Sequence, residues 1–248
     1  MSEIRFQAKI QLSTSRSSDT GVFCPAMNGK RGSLSPELPT AVGEDGFFRE
    51  ISADSPYRNE ARLLGLSCEH SQEVLLSKVN GFLDEAAFDT AILDAVLGSR
   101  SCMIDALMRI TERVVDRLPY IDEENRGYVF LFLNEAISNA VYHGNLKIPK
   151  ECRTKSSFKE YEKEMHEYQP SLLALRVTLR IVFDPVHFEM QVTDSGDGFD
   201  FKKRLRRNHP PAPDQESGRG IFILKKVADA ITFYDKGKTL YLRKRWRN

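Results

Sequence analysis

The chain has 248 residues, with 36 basic against 35 acidic side chains, a net charge of +1, 41% hydrophobic and 29% charged residues. That length holds one good-sized domain with an appendage, or two small domains. The near-neutral balance excludes the global field expected of a nucleic-acid or membrane-surface binder.

Met1–Thr20 lacks the apolar stretch of a secretory signal, and no run approaches the roughly 20 apolar residues of a membrane span. Cys24, Cys68, Cys102 and Cys152 are isolated, without the spacing of a zinc site or disulfide framework. Reduced thiols in a cytoplasm are the expectation.

Residues 1–60 are rich in Ser, Gly and Pro with little apolar periodicity, which predicts a largely flexible region. A short strand near Ile4–Leu12 is the exception. Residues 61–98 form an extension of unassigned role. In it Val74, Leu75, Val79, Phe82 and Leu83 point to a helix, while Ala91–Leu97 suits either a strand or another helix turn.

From Ser99 the periodicity sharpens. Met103, Leu107, Ile110, Val114 and Leu118 recur at helical spacing up to Pro119. Asp122-Glu-Glu124 suits the positive end of a second helix, expected to run to about His143 with Gly144 as its stop.

Lys147–Tyr168 is charged and reads as a surface loop. Leu175–Phe183 alternates as a strand, Asp184-Pro185 turns the chain, and Val186, Phe188, Met190 and Val192 alternate in a returning strand. Gly220–Ala230 reads as a helix, and Ile231–Tyr234 with Thr239–Lys244 as a hairpin across Lys236-Gly237. Helices followed by strands with one helix between them define an α+β sandwich, helices on one face of a mixed, mostly antiparallel sheet.

Three short motifs carry the chemistry. In Glu135-Ala-Ile-Ser-Asn139, the acid and the amide lie four apart, opposite a stripe of Leu133, Ile137, Ala140 and Val141. A carboxylate beside a carboxamide can accept a proton and offer an oxygen to a hard cation; a solvated helix face is the plainer alternative.

In Asp194-Ser-Gly-Asp-Gly198, Asp194 keeps the parity of Val186, Phe188, Met190 and Val192, so alternation aims its carboxylate toward the core side. A buried acid needs a partner, and the exocyclic amine of a purine would be one. Gly196 and Gly198 leave the backbone free to approach a flat ring. A plain turn uses the same residue types, but a calcium hand does not fit, since Leu205 stands where the bidentate acid belongs.

Gly218-Arg219-Gly220 opens a helix, where exposed amides and the dipole make a phosphate seat; a helix-start turn is the alternative. Phe199–Glu216, with Lys202-Lys-Arg-Leu-Arg-Arg207 and Pro210-Pro-Ala-Pro213, suits a mobile basic loop.

Taken in order, Glu135-x-x-x-Asn139 with His143-Gly144, Asp194-x-Gly196-x-Gly198 and Gly218-x-Gly220 resemble the three nucleotide-binding boxes of GHKL-type ATPases. The likeness covers roughly residues 99–248 and is nearest to bacterial anti-sigma-factor serine/threonine kinases of the switch-protein type. It implies a Bergerat-type two-layer fold that binds ATP and Mg2+.

By position, Glu135 would be the general base, Asn139 the Mg2+ ligand and Asp194 the adenine contact. Gly196 and Gly198 would frame the base, Gly218, Arg219 and Gly220 would bind phosphates, and residues 199–217 would form a lid. The implied partners are a sigma factor and a STAS-type anti-anti-sigma protein, with a homodimer possible from the same likeness. Where some members carry Arg before the Ser-Gly of the third box, this chain has Glu216. That departure gives the alternative expectation of a nucleotide-regulated partner-binding module with little or no kinase activity.

Overall fold

The computed structural model describes residues 6–14, 62–67, 72–85, 87–148, 163, 170–173, 175–206 and 219–247. Most of the expected flexible region and of the charged loop Lys147–Tyr168, and Gly218 with residues 207–217, lie outside these.

A seven-stranded sheet organises the chain. Its strands are β1 (Gln7–Ser13), β2 (Arg62–Ser67), β3 (Thr90–Gly98), β4 (Arg176–Phe183), β5 (His187–Asp194), β6 (Ala230–Tyr234) and β7 (Thr239–Arg245). They lie in the order β2-β1-β3-β4-β5-β7-β6. The helices are α1 (Gln72–Asp84), α2 (Ser101–Val115), α3 (Glu123–Ser138), the short α4 (Pro170–Leu173), α5 (Phe201–Leu205) and α6 (Arg219–Val227).

The fold is α+β, as the alternation in sequence implies, with two corrections. Every neighbouring pair among the described strands is antiparallel, so the sheet is not mixed. The reason lies in the β3–β4 connection: α2 and α3 return the chain to the end it left, pairing Gly98 with Arg176. The ambiguous Ala91–Leu97 segment is strand, buried along its whole length within β3. Val186 is also not part of the returning strand; it sits in the turn and is 64% exposed.

The periodic residues pack as spaced. Met103, Leu107, Ile110, Val114 and Leu118 from the α2 region meet Val129, Phe132, Leu133, Ala136 and Ile137 of α3 over the sheet. Phe132 stacks on Phe188 at 5.9 Å, and Phe188 meets Phe183 at 5.4 Å. Fully burying such a side chain contributes about 1.5–3 kcal/mol. The start of α3 is set by Asp122, whose side chain accepts a hydrogen bond from the Asn125 amide at 2.8 Å, with Glu123 and Glu124 in the first turn.

The two ends of the sheet differ. At one end His187 is held between Asp184 and Glu189, and the Trp246 indole donates to the Asp184 carbonyl at 2.6 Å. At the other end β5 finishes at Asp194, beside the start of β4 and the β6–β7 turn. The three sequence motifs converge there.

Candidate functional site

The end of α3 is where the local geometry departs from expectation. The helix does not continue as α to His143; it widens into a π-helical turn over Asn139–Asn145. Leu146 donates to the Val141 carbonyl at 2.8 Å, a five-residue step. Such turns are rare, and frequent at functional sites. Here the widening brings Gly144 and Asn145 against the end of β5.

Asp194 is half-buried at that strand end, on the parity read from sequence. Its Oδ1 accepts from the Gly196 amide at 2.8 Å, while its Oδ2 accepts no hydrogen bond from the described residues. Burial, the leading cause, pushes the carboxyl above its ordinary value, against the opposing pull of the Gly196 amide and Lys238. A half-buried acid with one open oxygen suits a ligand N–H donor.

Backbones close tightly around it. A Cβ on Gly144 would come within 2.5 Å of Asp194 Cγ, and one on Gly196 would collide with the Gly144 carbonyl oxygen. Gly198 has φ +78°, the left-handed region that favours glycine, and packs on the Lys236 carbonyl. Phe199 donates its amide to that same carbonyl at 2.9 Å. The β6–β7 turn that supplies it holds Asp235 and Lys236 at positive φ as well.

Between these elements lies a cavity of about 430 Å³, within the range of small-molecule sites. Ala136, Ala140, Val192, Phe199, Ile221, Phe233 and Leu240 give it apolar walls, and Asn139, His143, Asp194, Arg204 and Lys238 bring polar groups to it. Phe199 meets Phe233 edge-on at 5.3 Å.

Of the sequence candidates, Asn139, Asp194 and Gly198 line the cavity. Gly196 is buried against Gly144 instead of facing the cavity, so its small size serves the loop's closure. Glu135 stands beside the cavity, with the α6 backbone laid over it: a Cβ on Gly220 would collide with Glu135 Oε2 and lie 3.5 Å from Asn139 Nδ2. Arg219 is exposed at the start of α6. Gly218 lies outside the described residues.

Neither Glu135 nor Asn139 has a side-chain hydrogen bond or ion pair among the described residues, although both are half-buried. Burial pushes the Glu135 carboxyl above its ordinary value. Phe199 and Arg204 fall in the segment that the sequence assigns to a lid, whereas Phe233 and Lys238 are not named there as site residues. Phe199 directly follows Gly198 and Arg204 sits in the basic cluster, but Phe233 and Lys238 join only through the strand order.

The donor set fits a purine nucleotide: an acid with a free oxygen, apolar walls and cations at the rim. It also fits one Mg2+ contact. No group of three His, Cys, Asp or Glu able to hold a metal occurs among the described residues. Mg2+ bound with a nucleotide takes most of its ligands from water and phosphate, so Asn139 alone would suffice.

The family model for histidine kinase-like ATPase domains matches residues 103–244. That is more than half of the chain, which therefore belongs to this family. ATP binding and a regulatory role go with that membership. No curated protein matches the chain. Among the described residues no helix is long and apolar enough to cross a membrane.

Proposed function

We propose that the protein is a Mg2+- and ATP-dependent serine/threonine protein kinase of the anti-sigma-factor type, acting on a hydroxyl of a STAS-type antagonist in a partner-switching pathway. The observation that carries this reading is the Glu135–Asn139 pair. It is half-buried, without protein partners among the described residues, and set against the first turn of α6.

Asp194 would accept a hydrogen bond from the adenine amine, and Asn139 would offer its carbonyl oxygen to Mg2+. The amides opening α6 would face the phosphates. ATP supplies the γ-phosphoryl group. Glu135 takes the proton from the attacking hydroxyl as the new O–P bond forms, and the bond to the β-phosphate oxygen breaks to leave ADP. The raised proton affinity of the half-buried Glu135 suits that task.

Phosphorylation of a STAS-type protein by wild type and Glu135→Gln, with nucleotide binding measured in parallel, tests the assignment. Transfer lost with binding retained supports it; transfer retained removes Glu135 as the base. The second reading is a nucleotide-regulated sigma-factor or partner-binding module, favoured by Glu216 in place of arginine. Tight Mg-ATP binding without transfer to any cognate antagonist would decide for it.

A further inference from the structure

Asn145 is 2% exposed and is not among the cavity-lining residues. It closes the π-helical turn, and its carboxamide reaches three separate segments. Nδ2 donates to Ser99 Oγ at 2.8 Å and to the Arg176 carbonyl at 3.2 Å, just past β3 and at the start of β4. Oδ1 accepts from the Ser195 amide at 2.8 Å, one residue beyond Asp194. Ser99 Oγ donates onward to the Leu175 carbonyl at 3.1 Å, and Ser195 Oγ adds a second tie to the Arg176 carbonyl at 2.9 Å.

Two donors and an acceptor on one planar group are needed here, and only a carboxamide provides them. Aspartate would set an acceptor against the Arg176 carbonyl, and an apolar residue would leave the part-buried Ser195 amide and the buried Ser99 hydroxyl without their partner. The Ser195 amide held by Asn145 precedes the Gly196 amide that fixes Asp194 Oδ1. Gly144, the residue before Asn145, packs its backbone on the Asp194 carboxylate from the other side.

We propose that Asn145 is a positioning residue for base recognition: it locks the π-helical turn to the Asp194–Gly196 loop, so that Asp194 Oδ2 is held in one direction toward the cavity. The inference rests on reading Asp194 as the adenine contact. It deepens that reading by assigning the nucleobase selectivity of the site to a residue that does not touch the ligand. Removing the lock lets the carboxylate turn, which costs affinity for a base bearing an exocyclic amine and spares one that lacks it.

Titration calorimetry on the full chain with Mg-ATP and with the inosine triphosphate, which has a carbonyl in place of the amine, provides the test. Wild type is expected to prefer ATP. Asn145→Ala lowers that preference about tenfold, mainly through weaker ATP binding, whereas a merely structural defect weakens both nucleotides alike and leaves the ratio unchanged.

Ser195→Ala removes an exposed hydroxyl that ties the same turn, and lowers the ratio by about threefold without threatening the fold. If folded Asn145→Ala keeps the wild-type ratio, the inference is overturned. If Asn145→Ala does not fold, an unchanged ratio in Ser195→Ala overturns it instead. Wild type that binds both nucleotides equally sinks the Asp194 reading itself, a different failure and visible before any variant is made.

Discussion

The two ends of the site are built by opposite means. Around Asp194 the protein closes on itself: Gly144 on the carboxylate, Gly196 on the Gly144 carbonyl, Gly198 on the Lys236 carbonyl, and Asn145 across three segments. Around Glu135 and Asn139 it leaves polar groups without side-chain partners among the described residues and lays the start of α6 against them. Backbone packed on backbone cannot move cheaply, whereas a carboxylate facing a helix terminus can swing. On the proposed reading, selectivity needs a fixed geometry and phosphoryl transfer needs groups free to engage ligands, so the contrast would divide the labour within one site.

The contrast can be broken at several points. The largest effect is expected from Glu135→Gln, which lowers transfer to the antagonist by about 10²–10⁴-fold and leaves nucleotide affinity near wild type; radiolabel transfer beside calorimetry reads both. Next is Gly196→Ala. Its Cβ meets main-chain atoms that cannot rotate away, so a destabilisation of about 1–3 kcal/mol should appear in denaturant unfolding together with loss of ATP binding.

Gly220→Ala makes the matching probe of the other end. Its Cβ meets the end of the Glu135 side chain, which can yield, and Asn139 Nδ2 only at ordinary contact distance. Stability should then stay within about 0.5 kcal/mol of wild type while transfer falls. Equal destabilisation by both glycine substitutions would erase the distinction between the two ends.

The smallest expected effect lies outside the site. His187 is pushed up to about 9 from its ordinary 6.5, chiefly by its hydrogen bonds to Asp184 and Glu189. The folded state therefore holds that proton more tightly than the unfolded chain. The resulting stabilisation is complete below about pH 6.5 and is lost as the pH rises through about 9. For a partly exposed group it amounts to about 1 kcal/mol or less. Unfolding curves across that window should slope downward with pH in wild type and flatten in His187→Gln, with nucleotide selectivity unchanged.

How much of this was legible in sequence follows the same division. Period-two alternation placed Asp194 on the inner side of β5, because strand parity is a local property that propagates along a strand. The four-residue spacing of Glu135 and Asn139 placed them together for the equivalent reason in a helix. The π-helical turn was not legible: nothing in Asn139–Asn145 distinguishes a widened turn from an α-helix stopped by glycine, and tertiary contacts of Gly144 and Asn145 decide it. Phe233 and Lys238 were invisible as site residues because the strand order, with β7 inserted between β5 and β6, is what carries them to Asp194.

The position of Trp246 sets how the protein can be watched. It is the chain's one tryptophan, 8% exposed and packed near Tyr120 and Phe188 at the His187 end of the sheet. Arg245 pairs with His187 and Thr239 with Thr193, so the indole stands about 20 Å along the strands from the cavity at a rise near 3.3 Å per residue. Its emission will follow the melting of the core and stay silent when a nucleotide enters, which makes this chain its own internal control: one native fluorophore for folding, leaving any added dye to report the site alone.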